Sequence, residues 1–236
     1  MTKVLIFGAT GMVGQGVLRE CLLDPGIDQV VCVGRTPSGR TDPKLRDIVL
    51  SDLFAVKERE AELTGFDVCF YCLGVSSVGA TEADYTRVTY QLTLTIAGLL
   101  VRCNPRMIFV HVSATGADRS GRSRFMWARV KGRTENALCA LPFQATYVFR
   151  PGFIQPLHGI RSRTGLYRVL YAITGPLASM VGGLMPAVIT TTEKIGRAMI
   201  TVTRDGYAKT ILENADINQI ASGIVNGRSK VRPGMV

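Results

Sequence analysis

The sequence predicts an α/β protein built on a doubly wound parallel sheet, with a small helical lid region near the C-terminus. Three observations lead to this prediction. The 236 residues are 47% hydrophobic and 19% charged, which is typical of a globular domain rather than a disordered chain. Apolar strand-like segments alternate with amphipathic helix-like segments. A glycine turn joins the first strand to the first helix.

The predicted elements follow in order along the chain. Short apolar runs rich in β-branched residues predict buried strands at 3–8, 29–34, 45–50, 68–73, 107–113 and 145–150. Helical spacing of apolar residues predicts helices at 12–23, 84–101 and 125–141, and another that starts at 191–193 and continues through 195–202. Strands that alternate with helices are joined by right-handed crossovers, so we expect parallel strands with helices on both faces.

The domain organisation predicted from this pattern is a single domain over residues 1–225, with a lid or substrate region at 156–200 and a flexible tail at 226–236. Residues 169–189 carry no charge and are numerous enough to cross a bilayer. Gly175-Pro176, Gly182-Gly183 and Pro186 interrupt this stretch, however. We therefore predict a buried lid or a subunit interface here and no membrane span, with peripheral membrane contact as the alternative.

Charge and cysteine content narrow the functional classes. The net charge of +10 is compatible with a nucleic acid, an anionic membrane or an acidic small molecule, but no nucleic-acid motif accompanies it. Met1 leads directly into the first strand, so we expect a cytoplasmic protein with reduced cysteines. Cys69 and Cys72 lie three apart on a predicted strand and therefore face opposite sides, which disfavours a redox pair. No histidine and carboxylate cluster has metal-ligand spacing, so no metal is predicted.

The strongest functional signal is the turn Gly8-Ala9-Thr10-Gly11-Met12-Val13-Gly14 between the first strand and the first helix. In that context the glycines let the backbone approach a pyrophosphate, and the amides at the helix N-terminus bind its charge. The turn therefore predicts a Rossmann-type dinucleotide site with contacts from Gly8, Thr10, Gly11, Met12, Val13 and Gly14. A purely structural turn is the alternative.

Cofactor preference is indicated at the end of the second strand. Arg35 stands where enzymes that use NAD place an acidic residue against the ribose 2′-hydroxyl, and a guanidinium suits a 2′-phosphate. We therefore predict NADP, with an arginine that merely faces water as the alternative. Asp52 and Leu53 follow the third strand, where such folds contact adenine, and Leu73 and Gly74 follow the fourth, near the middle of the cofactor.

Several motifs occur in a fixed order along the chain: the glycine turn, Cys72-Leu73-Gly74, Val112-Ser113-Ala114-Thr115-Gly116-Ala117, Val130-Lys131-Gly132 and Phe149-Arg150-Pro151-Gly152. On these motifs the sequence resembles the atypical short-chain dehydrogenase/reductase superfamily, in particular its NAD-dependent epimerase/dehydratase-like and Tat-interacting oxidoreductase-like groups. The resemblance covers residues 3–160 well and the remainder loosely.

The resemblance implies a serine, a tyrosine and a lysine beside the nicotinamide. It assigns Ser113 to orienting the substrate oxygen and Lys131 to binding the nicotinamide ribose. It also implies cofactor contacts from Pro151 and Gly152. The tyrosine is expected four residues before the lysine, on the same helix face, and that position is occupied by Trp127.

An indole N–H donates a hydrogen bond but does not transfer a proton near neutral pH. Three outcomes are open: another group, either Tyr85 or a water held by Ser113 and Lys131, supplies the proton; the reaction is slow or unusual; or NADP binds without turnover. Trp127 itself is either a wall of the active site or ordinary packing against the lid.

The predicted function is an NADP-dependent oxidoreductase that acts on a small carbonyl or alcohol substrate through an altered active site of Ser113, Lys131 and Trp127. The alternative is a non-catalytic, NADP-responsive regulator that binds a protein partner. A small-molecule substrate is expected as the ligand, nucleic acid is not, and a homodimer is left open.

Overall fold

A computed structural model of the chain describes residues 2–160 and 187–223. Within them, seven parallel strands form one sheet in the order β3-β2-β1-β4-β5-β6-β9, and β7 and β8 pair separately. This topology confirms the predicted doubly wound α/β fold. The strands are β1 Thr2–Phe7, β2 Ile27–Gly34, β3 Leu45–Val49, β4 Val68–Tyr71, β5 Ile108–Val112, β6 Ala145–Arg150, β7 Phe153–Gln155, β8 Ile189–Thr191 and β9 Ile211–Glu213.

Helices cover both faces of the sheet. Those described are α1 Met12–Leu23, α2 Glu82–Thr86, α3 Thr93–Cys103, α4 Met126–Cys139, α5 Thr192–Asp205 and α6 Asn214–Ala221. A 3₁₀ segment, Leu53–Leu63, follows β3, and a π-helical segment, Arg87–Leu92, joins α2 to α3. The predicted helix at 84–101 is therefore a longer helical run, and Thr81 caps its start by accepting a hydrogen bond from the Asp84 amide.

The centre of the sheet explains why its strands are almost continuously apolar. In β1, Ile6 pairs with Cys32 on one side and with Phe70 on the other. Alternate side chains enter two core clusters, one on each face, because both faces are covered by helices. Cys69 lies in one cluster and Cys72 packs against the other, so these two side chains lie on opposite faces. Burial raises the pKa of both thiols.

The predicted lid at 156–200 divides into two parts. Residues 161–186, which include most of the uncharged stretch, lie outside the described residues, as does the predicted tail at 226–236. Residues 192–200 belong to α5, which packs on α1 and places Ile195, Ala198 and Met199 in the core. These helices meet closely, because a Cβ at Gly16 would lie 2.7 Å from the Thr192 Cβ. Among the described residues, no helix is both long and apolar enough to cross a membrane.

Candidate cofactor and active site

The turn between β1 and α1 has the tight backbone that its glycines predict. Gly8 adopts φ +85°, and a Cβ there would lie 2.8 Å from the Cys72 carbonyl carbon at the end of β4. A Cβ at Gly14 would overlap the Gly8 carbonyl oxygen. The Gly11 amide donates to that same oxygen at 3.0 Å. Any side chain at Gly8 or Gly14 would therefore displace the backbone of the turn.

The start of α1 offers an anion site at this turn. Gly11 is the N-cap and supplies no side-chain cap, so the amides of the first helical turn, including Met12 and Val13, have no intrahelical acceptor. The first turn contains no acidic residue that would compete for these amides. With the positive end of the helix dipole added, the site suits a phosphate group.

A cavity of about 310 Å³ extends from this turn across the end of β2, and we call it the glycine cleft. Its lining comprises Gly8, Ala9, Thr10, Cys32, Val33, Gly34, Arg35, Thr36, Ser38, Leu53 and Leu73. Arg35 is exposed and has no hydrogen-bonded or ionic partner among the described residues, so its guanidinium is free to bind an anion. The Ser38 hydroxyl instead donates to Asp47 Oδ2 at 2.9 Å. Amides, a free guanidinium and apolar walls are a combination that fits a phosphorylated dinucleotide.

Two other residues predicted to contact the cofactor, Asp52 and Gly74, do not line the glycine cleft. The Asp52 carboxylate accepts a hydrogen bond from the Phe54 amide at 2.9 Å and so caps the 3₁₀ segment, whereas Leu53 lines the cleft. Gly74 is exposed, and a Cβ there would have no protein atom within 4 Å. No described residue therefore requires a glycine at position 74.

Two of the three predicted catalytic residues, Trp127 and Lys131, lie on α4. Trp127, Lys131 and Glu135 are spaced by four residues and share one helix face. The half-buried indole of Trp127 packs on the turn after β5, because a Cβ at Gly116 would lie 3.2 Å from Trp127 Cη2. Lys131 is also half-buried and has no partner among the described residues. Burial lowers the pKa of Lys131 to about 8, and the Glu135 carboxylate opposes part of that shift.

Ser113, at the end of β5, belongs to a network that is buried at Ser113 and Glu135 and reaches the surface at Glu213; we call it the carboxylate network, and it comprises Ser113, Glu135, Arg150 and Glu213. The Ser113 Oγ donates to Glu135 Oε1 at 2.5 Å. Arg150 donates from Nε and Nη2 to the two Glu135 oxygens at 3.0 and 2.6 Å. Arg150 Nη1 reaches Glu213 Oε1 at 3.0 Å. Glu135 is completely buried, so these contacts satisfy a charge that water cannot reach.

Pro151 and Gly152 follow the carboxyl end of β6, beside the turn that follows β5. The Thr115 amide donates to the Pro151 carbonyl at 3.1 Å, which ties the turn after β5 to the end of β6. The Gly152 amide donates to Asn214 Oδ1 at 2.8 Å, and a Cβ at Gly152 would overlap the Val188 carbonyl oxygen. Close packing within the protein is therefore one reason for a glycine at position 152.

Sequence reasoning missed Glu135, Arg150 and Gly132. Glu135 was detectable as a carboxylate one turn after Lys131, and Arg150 stands beside Pro151 in a motif that was already noted. A Cβ at Gly132 would overlap the Asp118 carbonyl oxygen, so this glycine lets the loop after β5 lie against α4. No sequence signal indicated that contact, because it joins segments that are distant along the chain.

His111 lies in β5, where the sequence predicts a core residue with satisfied hydrogen bonds; the burial is confirmed, but the hydrogen bonds are not. Its ring is buried against Tyr71, with a centroid distance of 5.6 Å, and neither ring nitrogen has a hydrogen-bond partner among the described residues. Burial, together with the Lys131 charge, lowers the pKa of His111 to about 3. The imidazole is therefore neutral at physiological pH.

Comparison with known proteins agrees with this geometry. Residues 4–122 match the model of the NAD dependent epimerase/dehydratase family. The protein named fmp52, mitochondrial, of Emericella nidulans is 30% identical over 164 residues, 65% of this chain and 67% of that protein. Protein HTATIP2 of Rattus norvegicus is 30% identical over 154 residues, 64% of this chain and 62% of that protein.

A solved structure has the same fold. Gre2 of Candida albicans in complex with NADPH superposes with a TM-score of 0.67 at 13% identity, covering 90% of this chain and 78% of that one. At this identity the likeness concerns the fold alone.

Proposed function

The chain belongs to the NAD dependent epimerase/dehydratase family, and from this premise we propose that it is an NADP-dependent oxidoreductase acting on a small carbonyl or alcohol substrate. Bound NADPH would supply the hydride to a carbonyl compound, and bound NADP⁺ would accept one from an alcohol. The observation that carries the proposal is the position of Lys131, a half-buried amine with no hydrogen bond or salt bridge among the described residues, on the helix face that also presents Trp127 and Glu135.

The preference for NADP is supported by charge. Arg35 lines the glycine cleft beside the turn of Gly8 and Thr10, and its guanidinium has no partner among the described residues. A guanidinium can form two parallel hydrogen bonds to a phosphate, which a ribose hydroxyl cannot match. Gre2 of Candida albicans, which shares the fold, was solved with NADPH.

Proton transfer is assigned to Lys131. The indole of Trp127 cannot act as an acid near neutral pH, whereas an amine with a pKa of about 8 exists in both protonation states there. Lys131 as an ammonium donates a proton to the oxygen of a carbonyl substrate, and as an amine it accepts the proton of an alcohol. Reduction is therefore expected to slow as the pH rises through about 8, and oxidation to accelerate over the same range.

The test is a panel of aldehydes and ketones with NADPH, and of the matching alcohols with NADP, followed at 340 nm (the absorbance of the reduced nicotinamide). Turnover that has this pH dependence and is lost in Lys131→Met supports the proposal. Silence across both panels, while calorimetry shows the cofactor bound, contradicts it.

A second candidate is a non-catalytic protein that responds to NADP. The observation that favours it is the Ser113 hydroxyl, which already donates to Glu135 in a site that has no tyrosine at position 127. Analytical ultracentrifugation with and without NADPH separates the two candidates. A change in oligomeric state without consumption of NADPH supports a regulator, and an unchanged state opposes it.

The cytoplasm remains the proposed compartment, although the fmp52 relatives carry the word mitochondrial in their names. Fractionation of cells that express the tagged protein tests this proposal. Recovery of the protein in purified mitochondria would contradict it.

A further inference from the structure

The hydroxyl of Ser113 has a fixed hydrogen-bond direction. A hydroxyl has one proton to donate and two lone pairs that accept, and an ionised carboxylate only accepts. Both oxygens of the Glu135 carboxylate already accept hydrogen bonds from Arg150, at 3.0 and 2.6 Å. In the 2.5 Å contact between Ser113 Oγ and Glu135 Oε1, the serine is therefore the donor. Its proton is committed to the buried carboxylate, and only its lone pairs are available to a ligand.

Reversing the direction of the hydrogen bond between Ser113 and Glu135 would cost free energy. If Ser113 turned its proton toward a ligand, Glu135 would lose a charge-assisted hydrogen bond at a site with no access to water. Arg150 also donates to both oxygens of this carboxylate, at 3.0 and 2.6 Å, which holds it in its present orientation. The arrangement within the carboxylate network is therefore stable against rotation of the serine.

We propose that Glu135 is a positioning residue that keeps Ser113 as a hydrogen-bond acceptor, so that the active site prefers an alcohol over the corresponding carbonyl compound. This inference rests on the proposed function and specifies its substrate class. The second partner is Lys131, one helical turn from Glu135. Below a pH of about 8, where Lys131 is mainly an ammonium, an alcohol oxygen accepts from Lys131 while the alcohol's own hydrogen is donated to Ser113. A carbonyl oxygen can satisfy Lys131 but leaves Ser113 without a donor.

The test measures binding rather than turnover. The full chain is loaded with 1,4,5,6-tetrahydro-NADP, a cofactor analogue that cannot donate a hydride, and the dissociation constants of 1-(4-fluorophenyl)ethanol and 4′-fluoroacetophenone are measured by ¹⁹F NMR. The alcohol is expected to bind about 3- to 10-fold more tightly, the effect of one additional hydrogen bond. A ketone that binds equally or more tightly overturns the inference, and so does a lack of binding by either ligand.

Variants isolate the role of Glu135. Glu135→Gln removes the charge that holds the Ser113 proton, so the preference is expected to move toward the ketone. Glu82→Gln is the matched control, because it removes a carboxylate that pairs with Arg129 of α4 at 2.7 Å and lies outside the carboxylate network, and its preference is expected to equal that of the wild type. A preference unchanged in Glu135→Gln contradicts the positioning role.

If Glu135→Gln does not fold, Ser113→Ala tests whether the serine accepts a hydrogen bond from the alcohol. It removes the acceptor with little loss of packing, and the ratio of the two dissociation constants is expected to fall to about 1. A ratio that stays at the wild-type value overturns the inference. Failure of the proposed function has a different signature, namely no binding of the cofactor analogue or no turnover in either panel.

Discussion

The glycine cleft and the carboxylate network lie at the same edge of the sheet but are built in different ways. The cleft is formed mainly by backbone, since Gly8 and Gly14 permit a turn whose amides and helix end face the ligand. The carboxylate network is formed by side chains from β5, α4, β6 and β9. The glycine cleft has the backbone shape that the glycine motif of the family implies. The region around the carboxylate network departs from the family pattern, because Trp127 occupies the tyrosine position and Ser113 donates to Glu135.

Under the proposed function, cofactor binding and proton transfer would depend on separate parts of the molecule. The cleft needs a local backbone shape, which a short stretch of sequence encodes. Proton transfer needs side chains from distant segments to meet, and a single replacement such as Trp127 changes their chemistry while the cleft stays intact. Substitutions in one region should therefore leave the other region largely unaffected.

The largest effect is expected from Gly14→Ala. The added Cβ would overlap the Gly8 carbonyl oxygen, so the turn must move, and we expect NADPH affinity to fall more than about 100-fold and the protein to lose about 1–3 kcal/mol of stability. Isothermal calorimetry and urea unfolding measure the two quantities. Gly74→Ala is the control, since its Cβ would meet no protein atom within 4 Å. Equal affinities for the two variants would disprove the account of the turn.

Trp127→Tyr tests the proton-transfer chemistry of the region around the carboxylate network. A tyrosine one turn before Lys131 restores an acid beside the amine, and general acid catalysis contributes about 10²-fold at the lower end of its range. Turnover is therefore expected to rise by about that factor, with NADPH affinity unchanged. Trp127→Phe keeps an aromatic ring without the hydroxyl and should show no gain. Identical rates for the tyrosine and phenylalanine variants would contradict this assignment.

Arg35→Ala tests which cofactor the cleft selects. Loss of a hydrogen-bonded ion pair to the 2′-phosphate is expected to weaken NADPH binding about 10-fold or more and to leave NADH binding unchanged. Quenching of the Trp127 fluorescence, or calorimetry, provides the affinities. Arg106→Ala is a matched control at the opposite edge of the sheet, just before β5. Equal losses for NADPH and NADH in Arg35→Ala would remove the argument for NADP.

The smallest effect concerns His111, which is buried in β5. Its pKa is lowered to about 3, so between pH 3 and its ordinary pKa of about 6.5 the unfolded chain binds a proton that the folded chain does not. The free energy of unfolding should therefore fall as the pH drops below about 6.5. His111→Phe removes this dependence and two unpaired buried nitrogens, and should stabilise the protein by about 1 kcal/mol near pH 5. A wild type and a variant with parallel pH profiles in urea unfolding would refute this.

Much of the fold was predictable from sequence because its determinants are local. The predicted strand at 45–50 is observed as Leu45–Val49, and the predicted helix at 12–23 as Met12–Leu23. Strand β9 was missed, since its three residues are ordered by pairing with β6, where Val148 lies opposite Ile211. Helix α5 was predicted, but the sequence placed it in a lid, whereas in the structure it packs on α1. The contact at Gly16 joins segments far apart in the chain, so no local pattern indicated it.

The candidate site divides in the same way. The glycine turn and Arg35 could be placed together at one cavity from the sequence, because each directly follows a strand of the parallel sheet. The contact between Ser113 and Glu135 could not, because it depends on the register of α4 against β5 and on Arg150 from a third element. Side-chain networks of this kind are determined by tertiary packing rather than by any one segment.

We propose that the glycine cleft binds a phosphorylated dinucleotide although position 127, beside Lys131 on α4, has no tyrosine. Calorimetric titration of the wild-type protein with NADPH and with NADH tests it directly. The account predicts one NADPH bound per chain, at least about 10-fold more tightly than NADH. No detectable binding of either cofactor, or tighter binding of NADH, would contradict it.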